Sequence, residues 1–200
     1  MNRITQCLHG RGTVSAVMGH RHKPAGHVPS RYLAFTDLRR PVVFWNLTNR
    51  CNLSCRHCYS QSDPQCRTEE ELTTTEALGF IDDLAGMGVP LILFTGGEPL
   101  IREDIWDLAD YAALRGIKTA LSTNGTLVTA DVAQKIKKSG IEYAGISLDG
   151  ARAETHDRFR NSPGSFNRSV AAFTHCREAG VRCGVRVTLT QENYDELESL

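Results

Sequence analysis

Acidic residues are missing from the start of this chain. Between Met1 and Thr36 there is no Asp or Glu, while Arg3, Arg11, Arg21, Lys23 and Arg31 are present and His9, His20, His22 and His27 add basic character. Gly and Pro interrupt any helical period there, so residues 1–40 read as a basic N-terminal arm, mobile or folded over an anionic substrate. The amphipathic helix of a transit peptide is also missing, and the histidine spacing matches no ligand pattern. No apolar run approaches the length of a membrane span, which excludes a helical transmembrane segment. No secretory signal opens the chain, and seven cysteines is an odd number, so a disulfide framework is not expected. Formal net charge is zero over 200 residues, and no nucleic-acid partner is expected.

What is present is concentrated in Thr48–Tyr59, TNRCNLSCRHCY, where Cys51, Cys55 and Cys58 fall in a C-x3-C-x2-C spacing. Thiolates this close can converge on one metal centre. Iron–sulfur clusters usually take four cysteines, and a cluster held by three would leave one iron open, as a catalytic zinc keeps one position open. Structural zinc is the rival, with His57 or Cys66 as a fourth ligand, although zinc sites usually come as two short ligand pairs separated by a longer loop.

From Pro41 onward short apolar runs alternate with helical periods. Val42–Leu47, Leu91–Thr95, Ile117–Ser122, Tyr143–Leu148 and Cys183–Leu189 have the β-branched and aromatic content of buried strands, better suited to a parallel sheet than to an antiparallel one. Between them, Ala77, Phe80, Ile81 and Leu84 form one helical face behind the capping box Thr73-x-x-Glu76. Ile105, Leu108, Ala109 and Ala112 form another. Val132, Ala133 and Ile136 follow a cap at Thr129, and Phe166, Val170 and Phe173 follow Ser165. Each helix is expected to stop at a glycine before a β-branched residue: Gly88, Gly116, Gly140 and Gly180. Cys176 and Cys183 read as core and Cys66 as a bystander.

In such βα repeats the site lies at the carboxyl ends of the strands. The cysteine triplet follows strand one, Gly96-Gly97-Glu98-Pro99 strand two, and Ser122-Thr123-Asn124-Gly125 strand three; Ser147-Leu148-Asp149-Gly150 closes strand four. Asn124-Gly125 and Asp149-Gly150 are also ordinary turn dipeptides. Paired glycines at 96 and 97 allow a ligand to approach the backbone and free amides to bond it. Glu98 before Pro99 reads as a carboxylate beside exposed backbone, suited to an ammonium group.

CNLSCRHC followed one strand later by TGGEP resembles the radical S-adenosylmethionine (SAM) superfamily over Pro41–Leu200. The resemblance implies an α/β fold, a partial (β/α)6 TIM-like barrel, with residues 41–200 as its core. It implies a [4Fe–4S] cluster on Cys51, Cys55 and Cys58, its fourth iron chelated by SAM. Gly96, Gly97, Glu98 and Pro99 match the segment that binds the methionine amino group. His57 would lie near the adenine with Tyr59 beyond it, and Ser122, Asn124, Ser147 and Asp149 match tip positions that contact the methionine carboxylate or the ribose. Arg160 and Arg186 are further candidates for a carboxylate of SAM or substrate, or are solvated or structural arginines. One electron would cleave SAM to a 5′-deoxyadenosyl radical that abstracts hydrogen from substrate, so no catalytic residue beyond the cluster ligands is named.

RRPVVFWNLTNRCNLSCRHCYSQS is similar to the haem and haem d1 biosynthesis branch. That similarity implies a small-molecule substrate, a siroheme-derived tetrapyrrole, and a reductant such as ferredoxin or flavodoxin. The alternatives are a peptide- or protein-modifying relative of the sulfatase-maturation or quinone-cofactor type, or an inactive electron-transfer module. The expected compartment is cytoplasmic. Five strands fall short of six, so the chain is expected to be a fragment or to be completed by a partner, with an exposed, aggregation-prone edge at strand five.

Overall fold

The structure is a computed structural model that describes residues 40–200. The expected basic arm, apart from Arg40, lies outside the described residues.

Five strands, β1 (Val43–Thr48), β2 (Leu91–Gly96), β3 (Lys118–Thr123), β4 (Ile141–Ser147) and β5 (Arg182–Arg186), pair in parallel in the order β1-β2-β3-β4-β5. Each lies within three residues of the apolar run that announces it. Unbroken sequential order decides between the two architectures open to βα repeats. A doubly wound sheet reverses direction at a switch point, whereas right-handed crossovers without reversal leave every helix on one face. The sheet is the partial α/β barrel expected.

The helices are α1 (Thr74–Gly86), α2 (Ile105–Leu114), α3 (Ala130–Lys138), α4 (Ala153–Arg160) and α5 (Ser165–Glu178). Thr73 and Glu76 form the expected reciprocal capping box on α1, and Thr129 caps α3 through Val132 N. Gly88 takes φ +70° past the end of α1, a conformation that a Cβ disfavours, and the pattern recurs after α2, α3 and α5. The core is the contact between sheet and helices. Trp45, Leu47, Ile92, Phe94, Leu121 and Ile146 meet Ile81, Leu84, Ile105, Leu108 and Ile136 there.

Two expectations need correction. The sequence signals no helix over α4, because its buried face is Thr155, His156 and Phe159, too polar to show an apolar period. On α5 the buried residues are Ser165, Ser169, Ala172 and Cys176, while Val170 is 40% exposed. Small side chains let this helix sit close to the sheet, and Ser169 Oγ donates to Asn124 O (2.8 Å). The N-terminus of α5 is capped from outside: Asp157 accepts from Gly164 N, Ser165 Oγ and Phe166 N (2.5–2.9 Å). After β5 the chain forms a 3-10 turn at Tyr194–Ser199.

Candidate active site

The loop after β1 is fastened at both ends. Glu71 accepts from Thr48 Oγ1 and Asn49 N (both 2.8 Å), and Cys51 N donates to Asp63 O (3.0 Å). These ties hold Cys51, Cys55 and Cys58 at the strand tips, on a cavity of about 240 Å³. His57, Tyr59, Gly96, Gly97, Ser122, Asn124 and Ser147 also line it. Arg160 and Arg186 complete its charged wall. A larger hollow of about 510 Å³ lies between α5 and β5, but it contains none of the strand-tip residues.

Each of the three sulfurs has a hydrogen-bond partner. Cys51 Sγ accepts from Leu53 N (3.4 Å) and Asn124 Nδ2 (3.8 Å). Arg160 Nη1 donates to Cys55 Sγ (3.8 Å), and Cys58 Sγ meets Ser60 Oγ (3.3 Å). Burial pushes the Cys51 thiol up to about 11. Burial also raises Cys55, against the opposing effect of the Arg160 charge. At Cys58 burial acts upward too, but hydrogen bonds from the Ser60 hydroxyl and neighbouring backbone amides outweigh it and hold the thiol below its ordinary value.

Among the described residues no three His, Cys, Asp or Glu side chains converge closely enough to hold one metal ion. Thiolates on a single tetrahedral zinc lie about 3.8 Å apart, given Zn–S bonds of about 2.3 Å. The candidate fourth ligands point elsewhere: Cys66 Sγ donates to Gln61 O (3.6 Å), and the His57 ring packs on Phe159 at 4.0 Å with Nδ1 at 3.3 Å from Phe159 O. A cluster assigns each thiolate its own iron and spreads the ligands. Three cysteines on one cavity, each sulfur with a hydrogen-bond partner, fit that group.

Three expected cofactor contacts stand behind the cavity wall. Glu98 is fully buried and accepts from Thr123 Oγ1 (2.8 Å), Asn124 N (2.8 Å) and Leu100 N (3.2 Å). Its carboxylate ties β2 to β3, and the buried Pro99 starts a 3-10 turn beside it. Burial pushes Glu98 up to about 7 against those hydrogen bonds. Asp149 is likewise fully buried, ion-paired to Arg160 Nη2 and accepting from Thr188 N (2.8 Å).

The glycines also differ from expectation. Gly97 N donates to Thr48 O (2.8 Å) and Glu98 N to Arg50 O (2.9 Å), so these amides are occupied by the cysteine loop. A Cβ on Gly97 would collide with the Arg50 carbonyl. The glycine pair is needed first for strand-to-loop packing. Tyr59 is 79% exposed and stands on the rim.

Several supports escaped the sequence. Asn52 lies inside the cysteine motif and accepts from Asn124 Nδ2 (2.8 Å), a signal that a polar residue between two cysteines could have given. Asn193 Nδ2 donates to Asp149 O (2.8 Å), and Glu196 accepts from Ala151 N (2.7 Å), Thr155 Oγ1 (2.6 Å) and Arg152. Both reach back some forty residues, beyond any local pattern.

A family profile described as the radical SAM superfamily matches residues 45–200. Fe-coproporphyrin III synthase from Methanosarcina barkeri is 44% identical over 86% of this chain and 43% of its own length. AdoMet-dependent heme synthase from the same organism is 39% identical over 82% and 47%. Mycofactocin maturase from Mycolicibacterium smegmatis is 40% identical over 77% and 39%. The chain thus spans less than half of each of these relatives. A solved structure of Streptococcus suis SuiB bound to S-adenosylmethionine aligns with a TM-score of 0.67 over 78% of this chain and 36% of that one, at 19% identity, which speaks to fold alone.

Proposed function

The chain belongs to the radical SAM superfamily, and we propose that it carries that family's [4Fe–4S] cluster on Cys51, Cys55 and Cys58 and binds SAM in the adjoining cavity. The observation that carries this reading is the set of three cysteine sulfurs, each hydrogen-bonded, lining one cavity at the strand tips. When bound, the cluster and SAM supply a 5′-deoxyadenosyl radical that abstracts hydrogen; the protein supplies ligation, orientation and exclusion of water. Asn124 would steady the Cys51 thiolate, while Ser122, Ser147 and the backbone of Gly96 would present polar groups to the nucleoside and amino-acid ends of SAM. His57, with its ring fixed on Phe159, would form the edge of the adenine site, and Tyr59 its rim. Glu98 and Asp149 would serve indirectly, the first fixing the β2 and β3 tips, the second fixing Arg160.

The substrate reading is a siroheme-derived tetrapyrrole, converted in haem or haem d1 biosynthesis. Its support is the likeness to enzymes named for haem and Fe-coproporphyrin synthesis. Arg186 makes no ion pair among the described residues, and a guanidinium free on the cavity wall suits a polycarboxylate. The mycofactocin maturase likeness favours a second reading, peptide modification. The setting is cytoplasmic with a ferredoxin- or flavodoxin-type donor; no helix among the described residues is long and apolar enough to cross a membrane.

Electron paramagnetic resonance of anaerobically reconstituted, dithionite-reduced protein tests the core of the proposal. A [4Fe–4S]⁺ signal altered by SAM and absent in Cys55→Ala is expected. A cluster indifferent to SAM would point to an electron-transfer module, and bound zinc would overturn the assignment. Turnover of a siroheme derivative, against a precursor peptide, then separates the two substrate classes.

A further inference from the structure

Arg160 closes α4 and reaches the cavity with a side chain only 11% exposed. Its fork is divided: Nη1 donates to Cys55 Sγ (3.8 Å), while Nη2 is paired with Asp149. Nε is buried and has no hydrogen-bond partner. Asp149 has little freedom of its own. Thr188 N donates to its Oδ1 (2.8 Å), and Asn193 Nδ2 donates to its carbonyl (2.8 Å). Its amide donates to His156 Nδ1 (3.1 Å), a ring that burial and the Arg160 charge push down to about 4 and so keep neutral as an acceptor. Every element of this chain of contacts ends at one sulfur.

A guanidinium does not lose its proton in a protein, so the charge against Cys55 is permanent. In a little-exposed site that charge is poorly screened. Adding an electron makes the cluster more negative by one unit, and a fixed cation beside a ligand sulfur favours the added charge. Cluster potentials respond to net charge, hydrogen bonds to sulfur and exposure, and all three meet at Cys55. Asp149 cancels part of the field but holds the guanidinium with one N–H on the sulfur, so the positive end of the pair faces the cluster.

We infer that Arg160, oriented by Asp149, sets the reduction potential of the cluster by holding a fixed positive charge and an N–H donor against Cys55 Sγ. Asp149 is a positioning residue in this arrangement. The inference rests on the assignment of Cys51, Cys55 and Cys58 as cluster ligands, and it gives Arg160 a task other than binding a ligand carboxylate.

The test is a redox titration of the reconstituted protein, without SAM, followed by electron paramagnetic resonance. One electron from dithionite takes [4Fe–4S]²⁺ to [4Fe–4S]⁺, and no bond is made or broken. Arg160→Gln should assemble the same iron and sulfide content and be tenfold or more harder to reduce, a fall of about 59 mV for one electron. Arg160→Lys keeps the charge without the fork and should fall between the two. An Arg160→Gln cluster with an unchanged potential would overturn the inference while leaving the cluster assignment intact; wild-type protein that takes up no cluster would overturn both. Should the Gln variant not assemble, wild-type protein carrying ¹⁵N-arginine decides the matter. A ¹⁵N coupling to the reduced cluster in pulsed resonance supports the contact, and no coupling overturns it.

Discussion

Two corners of the sheet each bury a carboxylate, and they treat it in opposite ways. At the β2–β3 corner Glu98 has, among the described residues, only neutral donors, Thr123, Asn124 N and Leu100 N, and no ion pair. Desolvation outweighs them, and the group rises to about 7. At the β4–α4 corner Glu196 accepts from Thr155 and the amides of Ala151 and Arg152, and also meets the Arg152 guanidinium. Those hydrogen bonds, the one from Thr155 foremost, bring it down to about 2. Neither is much exposed, but Glu98 lies deep in the interior, where desolvation leads, whereas Glu196 lies just under the surface, where the Thr155 hydrogen bond outweighs it. What decides the sign is the number and charge of the donors supplied against the desolvation that burial imposes. Asp149, at the second corner, takes a full guanidinium.

Breaking the charged corner should have the largest effect. Asp149→Ala leaves Arg160 buried without its partner, and loss of one member of a buried pair destabilises by about 3–5 kcal/mol. Urea unfolding of the apo protein measures this; a loss below about 1 kcal/mol would mean that Arg160 finds water instead.

The neutral corner should respond next, and with pH. The folded pKa of Glu98 lies above its unfolded value, so the unfolded chain gives up its proton first. Stability is therefore lost as pH rises from about 4.5 to about 7, and the loss is constant above that. Glu98→Gln removes the ionisation and should gain on the wild type across that window, by on the order of 3 kcal/mol. Parallel unfolding curves at pH 5 and pH 8 would contradict the assignment. Gly97→Ala probes the same corner through packing. Its methyl must displace the Arg50 carbonyl, an overpacking effect of about 1–3 kcal/mol, and it should lower cluster content because the displaced backbone adjoins Cys51.

The two corners were also unequally legible in the sequence. Strands, helix ends and the cysteine loop announce themselves locally, through apolar runs, glycines and spacing, and each appears close to where it is expected. The β2–β3 corner is visible as Gly96-Gly97-Glu98-Pro99, but the bonds of the Glu98 carboxylate to Thr123 and Asn124 are not. Local sequence shows that a carboxylate is present but not whether it points into a cavity or into a neighbouring strand. The β4–α4 corner was scarcely legible. Helix α4 buries Thr155 and His156, which leave no apolar period, and the groups that hold its entry, Glu196 on Arg152 N and Thr155 and Asn193 on Asp149 O, arrive from the far side of α5 and β5. Polar partners separated by forty residues produce no pattern, because only the folded chain brings them together.

The smallest effect should come from Glu196, and its sign is the sharpest check on the comparison. Here the folded pKa lies below the unfolded value. The stabilisation is present above about 4.5 and is lost as pH falls toward about 2. Glu196→Gln keeps the shape but weakens the acceptor for Thr155, Ala151 N and Arg152, a loss of about 1–2 kcal/mol at neutral pH for a charge-assisted cap. Its deficit against the wild type should shrink between pH 5 and pH 3, whereas Glu98→Gln should gain on the wild type as pH rises. The same isosteric change would thus tilt the pH–stability curve in opposite directions at the two corners, because one carboxylate is ionised against its surroundings and the other by them. Thermal unfolding across pH 3–8 for the two variants reads both slopes; equal signs would mean that burial alone governs these groups.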